Sequence, residues 1–444
     1  MAFNAPVFLA LPQSSLFTFP PNSDPSFIAP APTGSNTFAP PFDIPNHVYQ
    51  AVLDPKVPLT VAAVYTVTAK LLNAYNKSTG KKPWAVSKTT TFRWLVVLHN
   101  VFLAVYSAWT WWGMFGALRR SMVSPLGPSG LSGFVDSVCH LNGPGGLGNA
   151  VFYSEDANAW ISHSPNVVLT SDGSPSPHDM GRIWNEGLAF YGWLFYLSKF
   201  YEVIDTLIIL AKGRLGSTLQ TYHHAGAMMC MWAGMRYNSA PIWMFVFFNS
   251  GIHAMMYTYY TITSFNVRVP MFIKRTLTSL QITQFIVGAS YAMLHSFVNY
   301  TIPVASATQD ENPAASAAAV NSSASAGVID MIKGAYAQKS MPCVTTTGAT
   351  FAVWLNVFYL APLTYLFGSF FVQSYLRRSN AGAKAAAKAG KEAASRRLSN
   401  NVALAEKAGW EAARNVEREV YGKDNEEAIE SEKSANDQVL RSRQ

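Results

Sequence analysis

Seven apolar windows, each long enough to cross a bilayer, dominate this sequence: 57–76, 94–116, 187–211, 217–235, 240–263, 276–298 and 349–375. About 20 residues cross the hydrocarbon core as an α-helix. Lipid offers no water to backbone N–H and C=O groups, so each such segment must satisfy its own as a helix. The windows therefore predict an all-α integral membrane protein of seven transmembrane helices, the first, with Lys70, being the weakest. Composition agrees, with 49% apolar and 13% charged residues and a mean hydropathy of +0.11. A soluble domain carries about a quarter charged residues. The charge is also uneven, since residues 377–444 alone hold 14 of the 33 Lys and Arg and 11 of the 25 Asp and Glu. A net charge of +8 then reports juxtamembrane cations and a mixed-charge tail, and no nucleic-acid partner is expected. The 27 Phe, 20 Tyr and 12 Trp exclude disorder and collagen for the body, and three cysteines exclude a disulfide-framework scaffold. No basic segment leads into an apolar run near Met1, so no cleavable signal peptide is expected.

The short loops set the orientation. Loop 77–93 holds Lys77, Lys81, Lys82, Lys88 and Arg93, loop 212–216 holds Lys212 and Arg214, and loop 264–275 holds Arg268, Lys274 and Arg275. The positive-inside rule puts these in the cytosol, the N-terminal segment 1–56 in the lumen and the tail 377–444 in the cytosol. Arg119 and Arg120 are exceptions, offset by acidic residues further along 117–186. That Gly/Pro-rich loop and the small-residue insertion 300–348 read as extramembrane, on the lumenal side. The sequons Asn299-Tyr-Thr301 and Asn321-Ser-Ser323 fall in the same lumenal insertion, whereas Asn76-Lys-Ser78 would face the cytosol and stay bare. Cys139 and Cys343 lie in these two loops, and pairing or two free thiols are both compatible with the sequence.

Ionisable groups inside spans are costly and mark functional sites by default. On the third window Lys199, Glu202, Asp205 and Thr206 stand at i, i+3, i+6 and i+7, one face of a helix. The fourth carries Gln220, His223 and His224, and the fifth carries Asn249, His253, Met256, Tyr257 and Tyr260. The sixth adds Thr278, Gln281 and Gln284. Each stripe alone has a structural reading, as an ion pair, a packing histidine or interhelical hydrogen bonds. Four in consecutive windows predict one pocket. His99 with Asn100, and His295, are kept outside it with structural roles.

These stripes are also motifs. Lys199-Phe-Tyr-Glu202-Val-Ile-Asp205-Thr206 reads KxxExxDT, Asn249 to Tyr260 reads NxxxHxxMYxYY, and Thr278 to Gln284 reads TxxQxxQ. The chain resembles the ELO family of fatty-acid elongases, the membrane 3-ketoacyl-CoA synthases, over about 57–298 and the seventh window. One position departs: the family's HxxHH box is here Gln220-Thr-Tyr-His223-His224, as in some elongases of polyunsaturated chains. The resemblance implies a seven-helix domain over 57–376, six helices enclosing an acyl tunnel. It implies condensation of a long-chain acyl-CoA with malonyl-CoA, releasing CO2 and CoA, with no bound cofactor and no metal.

Such a site must hold the thioester, stabilise the enolate left by decarboxylation and exclude water. No Cys lies in the stripes, Cys230 being seven residues beyond His223. Imidazole can accept an acyl group, so His223 is the candidate acceptor and His253 its partner in proton transfer or oxyanion binding. His224, Asn249 and Gln281 would orient them. Asp205 or Glu202 would fix a tautomer, and Lys199 would neutralise a carboxylate. Gln220, Thr206, Tyr257, Tyr260 and Gln284 are candidates for binding substrate. The polyanionic CoA would meet Lys212, Arg214, Arg268, Lys274 and Arg275 at the cytosolic mouth; snorkelling to lipid headgroups is their alternative role.

Two rivals come from other classes. A di-iron desaturase or hydroxylase needs several His boxes, whereas this chain has nine His in all and Gln220 interrupts its one box. A seven-span receptor needs no acid–base constellation, and a transporter would show internal repeats. The tail, with Leu398, Val402 and Ala405 at helical spacing, is either a partner-binding helix or a solvated segment. Endoplasmic-reticulum residence rests on the resemblance and the sequons. Expected partners are the bilayer and the ketoreductase, dehydratase and enoyl reductase of the cycle; a homodimer is left open.

Overall fold

The computed structural model describes residues 7–25, 28–33, 40–305 and 336–372. Its helices are α1 Asn46–Val52, α2 Lys56–Ser78, α3 Thr90–Ser121, α4 Gly130–Cys139, α5 Ala189–Tyr201 and α6 Val203–Ala211. They continue with α7 Thr218–Arg236, α8 Ile242–Ser264, α9 Met271–His295 and α10 Thr347–Phe371. Each apolar window is helical over most of its described residues. Starts follow local chemistry: Thr89, Ser217 and Thr346 cap α3, α7 and α10, their hydroxyls accepting the N–H of Phe92, Gln220 and Ala349. The third window is divided at Glu202, where the Asp205 N–H bonds the Glu202 carbonyl at 3.1 Å in a tightened turn.

The expectation of an all-α chain is corrected in the loops, which carry β1 Val7–Leu9, β2 Val151–Ser154, β3 Ala159–Ser162, β4 Val298–Ala305 and β5 Tyr336–Pro342. β2 and β3 form a hairpin whose turn includes Asn158 at a φ of 50°. The antiparallel sheet has the order β1-β4-β5, with Tyr300 opposite Val7 and Met341. Outside lipid, open strand edges can meet water, so short β-branched and aromatic runs can pair there. α9 correspondingly ends at His295, short of the window's end at 298, and the chain turns into β4.

α3, α8, α9, α10 and α7 pack successively side by side, and α2 lies on α7. α5 contacts α3, α7 and α8 and is buried from Ala189 through Tyr196. Loops 79–89 and 212–217 meet at one end, joined by the Trp84 N–H on the Ala211 carbonyl and by Asn76 Nδ2 on the Leu210 and Arg214 carbonyls. Phe265 of loop 265–270 packs edge-on to Trp94 in the first turns of α3 with centroids 6.3 Å apart. The other end is a folded cap. In it Arg182 is buried, donating to Asp136 Oδ2 at 2.6 Å and to the carbonyls of Asp136, His140, Pro144 and Gly146. Tyr300 donates to the other Asp136 oxygen at 2.6 Å. Cys139 and Cys343 form a disulfide here, with Cα atoms 4.8 Å apart, which resolves the open pairing. Arg120, an exception to the charge pattern, pairs with Glu186 at 2.6 Å.

Among the described residues, α2, α3 and the stretch Thr347–Ser369 of α10 are long and apolar enough to cross a membrane by length and composition. α5 and α6, at 13 and 9 residues, are each too short to do so singly. Asn299 lies on the central strand of the sheet with Thr301 buried, while the sequon at Asn321 and the tail 377–444 lie outside the described residues.

Candidate active site

The stripe on α5 and α6 fans out toward three different helices. Lys199, 3% exposed along its side chain, donates to Glu202 Oε1 at 2.7 Å and to Asn249 Oδ1 of α8 at 3.1 Å. The same Glu202 oxygen accepts from Ser198 at 3.1 Å and lies 3.5 Å from Nδ1 of His253. Burying a lysine and a glutamate costs several kcal/mol of desolvation per ion. Direct contact plus these extra hydrogen bonds offsets it. Glu202 Oε2, His253 Nδ1 and His224 Nδ1 are buried without a hydrogen-bond partner.

Asp205 faces elsewhere. Its Oδ1 meets His99 Nε2 of α3 at 2.7 Å, and its Oδ2 accepts from Tyr257 of α8 at 2.6 Å. His99, placed outside the site on sequence grounds, thus belongs to the motif's network. The ring of Tyr201 stacks on it with centroids 5.3 Å apart. Thr206 pairs with Tyr65 of α2 at 2.8 Å, and the same tyrosine ring stands edge-on to His224 at 6.1 Å.

A cavity of about 200 Å³ lies among α5, α7, α8, α9 and α10. At its polar part are Lys199, His223, Asn249, Gln284, Asn356 and Tyr359. Asn249 Nδ2 donates to Gln284 Oε1 at 3.4 Å, a long contact. Phe195, Met231, Met244, Phe245, Ile252 and Leu360 make the rest of the wall apolar, and the exposed side chains of Phe248, Leu280 and Val287 flank it between α8 and α9. His223 Nδ1 is 2.9 Å from the Tyr359 hydroxyl, which also donates to the His223 carbonyl at 2.9 Å.

The ELO (GNS1/SUR4) family profile matches residues 50–383. The chain belongs to the ELO family. The matched range spans both loops, 117–186 and 300–348, and leaves β1 outside it. Among curated relatives, the human "Very long chain fatty acid elongase 3" is 37% identical over 130 residues, 29% of this chain and 47% of its own. "Long chain fatty acid elongase 1" of Caenorhabditis elegans is 32% identical over 130 residues, 26% of this chain and 45% of its own. "Fatty acid elongase 2" of Trypanosoma brucei brucei is 28% identical over 221 residues, 49% of this chain and 67% of its own. The chain thus spans about half the length of the first two. No solved structure matches it.

Set against the ELO motifs, the candidates divide. Lys199, His223, Asn249 and Gln284 meet at the cavity, with Glu202 and His253 joined behind Lys199. Asp205 and Tyr257 form the second network with His99, and Tyr260 lies beyond it, its ring centroid 5.9 Å from that of Tyr257. Gln281 bonds Met256 Sδ at 3.3 Å rather than a histidine. Gln220 sits in the first turn of α7, half-buried, its backbone N–H on Ser217. Lys212, Arg214, Arg268, Lys274 and Arg275 lie at the basic end, and Lys274 is 5.5 Å from the Tyr259 ring centroid. Among the described residues no group of three or more His, Cys, Asp or Glu could hold a metal ion. Tyr359 and Asn356 were not legible, because their window carries no Asp, Glu, Lys, Arg or His to draw attention.

Proposed function

We propose that this ELO-family protein is the condensing enzyme of fatty-acid elongation, joining two carbons of malonyl-CoA to a long-chain acyl-CoA. The products are 3-ketoacyl-CoA, CO2 and CoA. The observation that carries the reading is the cavity itself, an apolar chamber whose wall also carries an imidazole, an ammonium, three amides and a phenol. Apolar wall suits an acyl chain; the polar groups suit a thioester and a developing enolate.

In this reading His223 accepts the acyl group, and the imidazole carries it until the malonyl-derived enolate attacks. Lys199 and Asn249 hold the malonyl carboxylate or the enolate oxygen. His253, linked to Lys199 through Glu202, tunes the position of the ammonium and moves protons. The CoA phosphates meet Lys212, Arg214, Arg268, Lys274 and Arg275 at the basic end. That end is cytosolic, and the acyl chain runs from His223 toward the disulfide-bonded cap, which is lumenal. Support for the orientation comes from the cap's disulfide, at home in an oxidising compartment. All seven helical segments cross the endoplasmic-reticulum membrane, α5 and α6 together as one span, and the unit is 57–376 with a lumenal leader and a cytosolic tail. The product is an intermediate, so a ketoreductase, a dehydratase and an enoyl reductase act next.

The test is incorporation of radiolabelled malonyl-CoA by membranes holding this chain, over saturated, monounsaturated and polyunsaturated acyl-CoAs of graded length. Incorporation with a length preference is expected, and His223→Ala and His253→Ala should each lower it by at least about a thousandfold. No incorporation from any acyl-CoA, with the protein correctly inserted, sinks the enzymatic reading. Undiminished incorporation in either variant removes the histidine chemistry alone.

A further inference from the structure

Tyr359 of α10 stands where it controls which nitrogen of His223 can react. Its hydroxyl oxygen is 2.9 Å from the His223 backbone carbonyl oxygen and 2.9 Å from His223 Nδ1. Each of these contacts needs a proton between its two heavy atoms, because a carbonyl oxygen only accepts and two lone pairs so close would repel. A phenol has one proton. Given to the carbonyl, it leaves the phenol oxygen as an acceptor toward Nδ1, so Nδ1 must carry the imidazole proton. A neutral imidazole has only one. Nε2 is then the nitrogen with the free lone pair, on a ring that lines the cavity.

α7 holds Tyr359 in three ways within little more than one turn. The Tyr222 hydroxyl donates to the Tyr359 carbonyl at 3.1 Å, and His223 accepts the Tyr359 hydroxyl as above. Gly226 provides room for the ring: a Cβ at that position would stand 2.2 Å from Tyr359 Cε2. A side chain so fixed on a buried helix pair is suited to holding a tautomer, as the second partner of a reactive imidazole does elsewhere.

We propose that Tyr359 is a positioning residue that locks His223 in the Nδ1–H tautomer and so makes Nε2 the acyl acceptor. This rests on the reading of His223 as that acceptor. In the first step the Nε2 lone pair bonds to the thioester carbon and the carbon–sulfur bond breaks. CoA leaves as a thiolate, protonated from solvent. The imidazole keeps its Nδ1 proton against the Tyr359 oxygen, so the acyl group rides on a cationic ring. In the second step the malonyl unit loses CO2, its carbon bonds to the acyl carbon, and the carbon–nitrogen bond breaks. The electron pair returns to Nε2, and neutral His223 is restored with its Nδ1 proton still in place.

The experiment uses the full chain in detergent, with a saturated long-chain acyl-CoA and no malonyl-CoA. It reads the single-turnover release of CoA and the acyl mass on the His223 peptide. Tyr359→Phe is expected to slow acylation about a hundredfold, with the acyl-CoA concentration that gives half the maximal single-turnover rate unchanged. Gly226→Ala keeps the hydroxyl but displaces the ring; it should show a comparable loss, and the double variant should be no slower than the slower single. Thermal melts matching wild type establish that the variants are folded, and Gly226→Ala answers alone if Tyr359→Phe does not accumulate. Acylation of His223 at the wild-type rate in a folded Tyr359→Phe, or in Gly226→Ala alone, overturns the tautomer lock and leaves the acyl-histidine reading standing. A wild-type protein that condenses yet never carries acyl mass on His223 overturns the acyl-histidine reading, and the lock with it.

Discussion

Glu202 does the work of several residues with one oxygen. Its Oε1 serves Lys199 and Ser198 and lies near His253, while Oε2 is buried with no partner. Removing one member of a buried ion pair strands the other charge, at a cost of about 3–5 kcal/mol, whereas replacing both by apolar groups is often neutral. Glu202→Gln should therefore lower the thermal midpoint sharply in detergent. The double change Lys199→Met with Glu202→Leu should recover much of that stability while remaining inactive; a double variant less stable than the single would refute the pairing argument. Gln220 differs from the family's His at a place where structure asks little of its side chain. The helix cap uses its backbone N–H on Ser217, and the side chain is half-buried. Gln220→His is expected to retain condensing activity, with the preferred acyl chain read out across the same substrate panel. Complete loss would show that the amide performs a function imidazole cannot.

The helices are local objects joined by a few long-range ties. The covalent tie is the disulfide, which joins the end of α4 to the residue just after β5 across 204 positions. Loss of a native disulfide of this kind costs about 2–5 kcal/mol. Cys343→Ser should lower the midpoint of unfolding, and reductant should lower that of the wild type but leave the variant unchanged. An equal response of both proteins to reductant would place the effect elsewhere. The break between α5 and α6 has a different consequence. A continuous helix would keep Lys199, Glu202, Asp205 and Thr206 on one face. The tightened turn at Glu202 lets the stripe reach α8 through Lys199, α3 through Asp205 and α2 through Thr206.

As a whole the molecule has a basic end, a polar and apolar interior, and a cap held by buried polar groups. In the cap, His140 is buried, and burial pushes its imidazole down to about 4, Asp136 opposing the shift and Arg182 adding to it. An unfolded histidine titrates near 6.5. Between those values the unfolded chain binds the proton and the folded one does not, so stability is full above about pH 6.5 and declines as pH falls toward 4. The decline from this group amounts to about 3 kcal/mol at most. Thermal midpoints from pH 7.5 to 4.5 should fall less steeply in His140→Gln than in wild type; parallel curves would show that His140 is not the group responsible.

The apolar windows locate the long helices α2, α3, α5 with α6, and α7 to α10 within a few residues, and their ionisable stripes single out Lys199, His223, Asn249 and Gln284, which line one cavity, because both rest on local periodicity and on the high cost of charge among apolar residues. The short helices α1 and α4 lie outside every window. Periodicity says which residues share a face but is silent on which helix lies opposite. Tertiary packing alone brought His99 to Asp205, Tyr65 to Thr206 and Tyr359 to His223. It also brought Cys139 to Cys343, a distance no one-dimensional pattern contains. Neutral hydroxyls such as those of Tyr65 and Tyr359 can be buried at little cost once they have a partner, so nothing in composition or spacing singled them out until the fold supplied that partner.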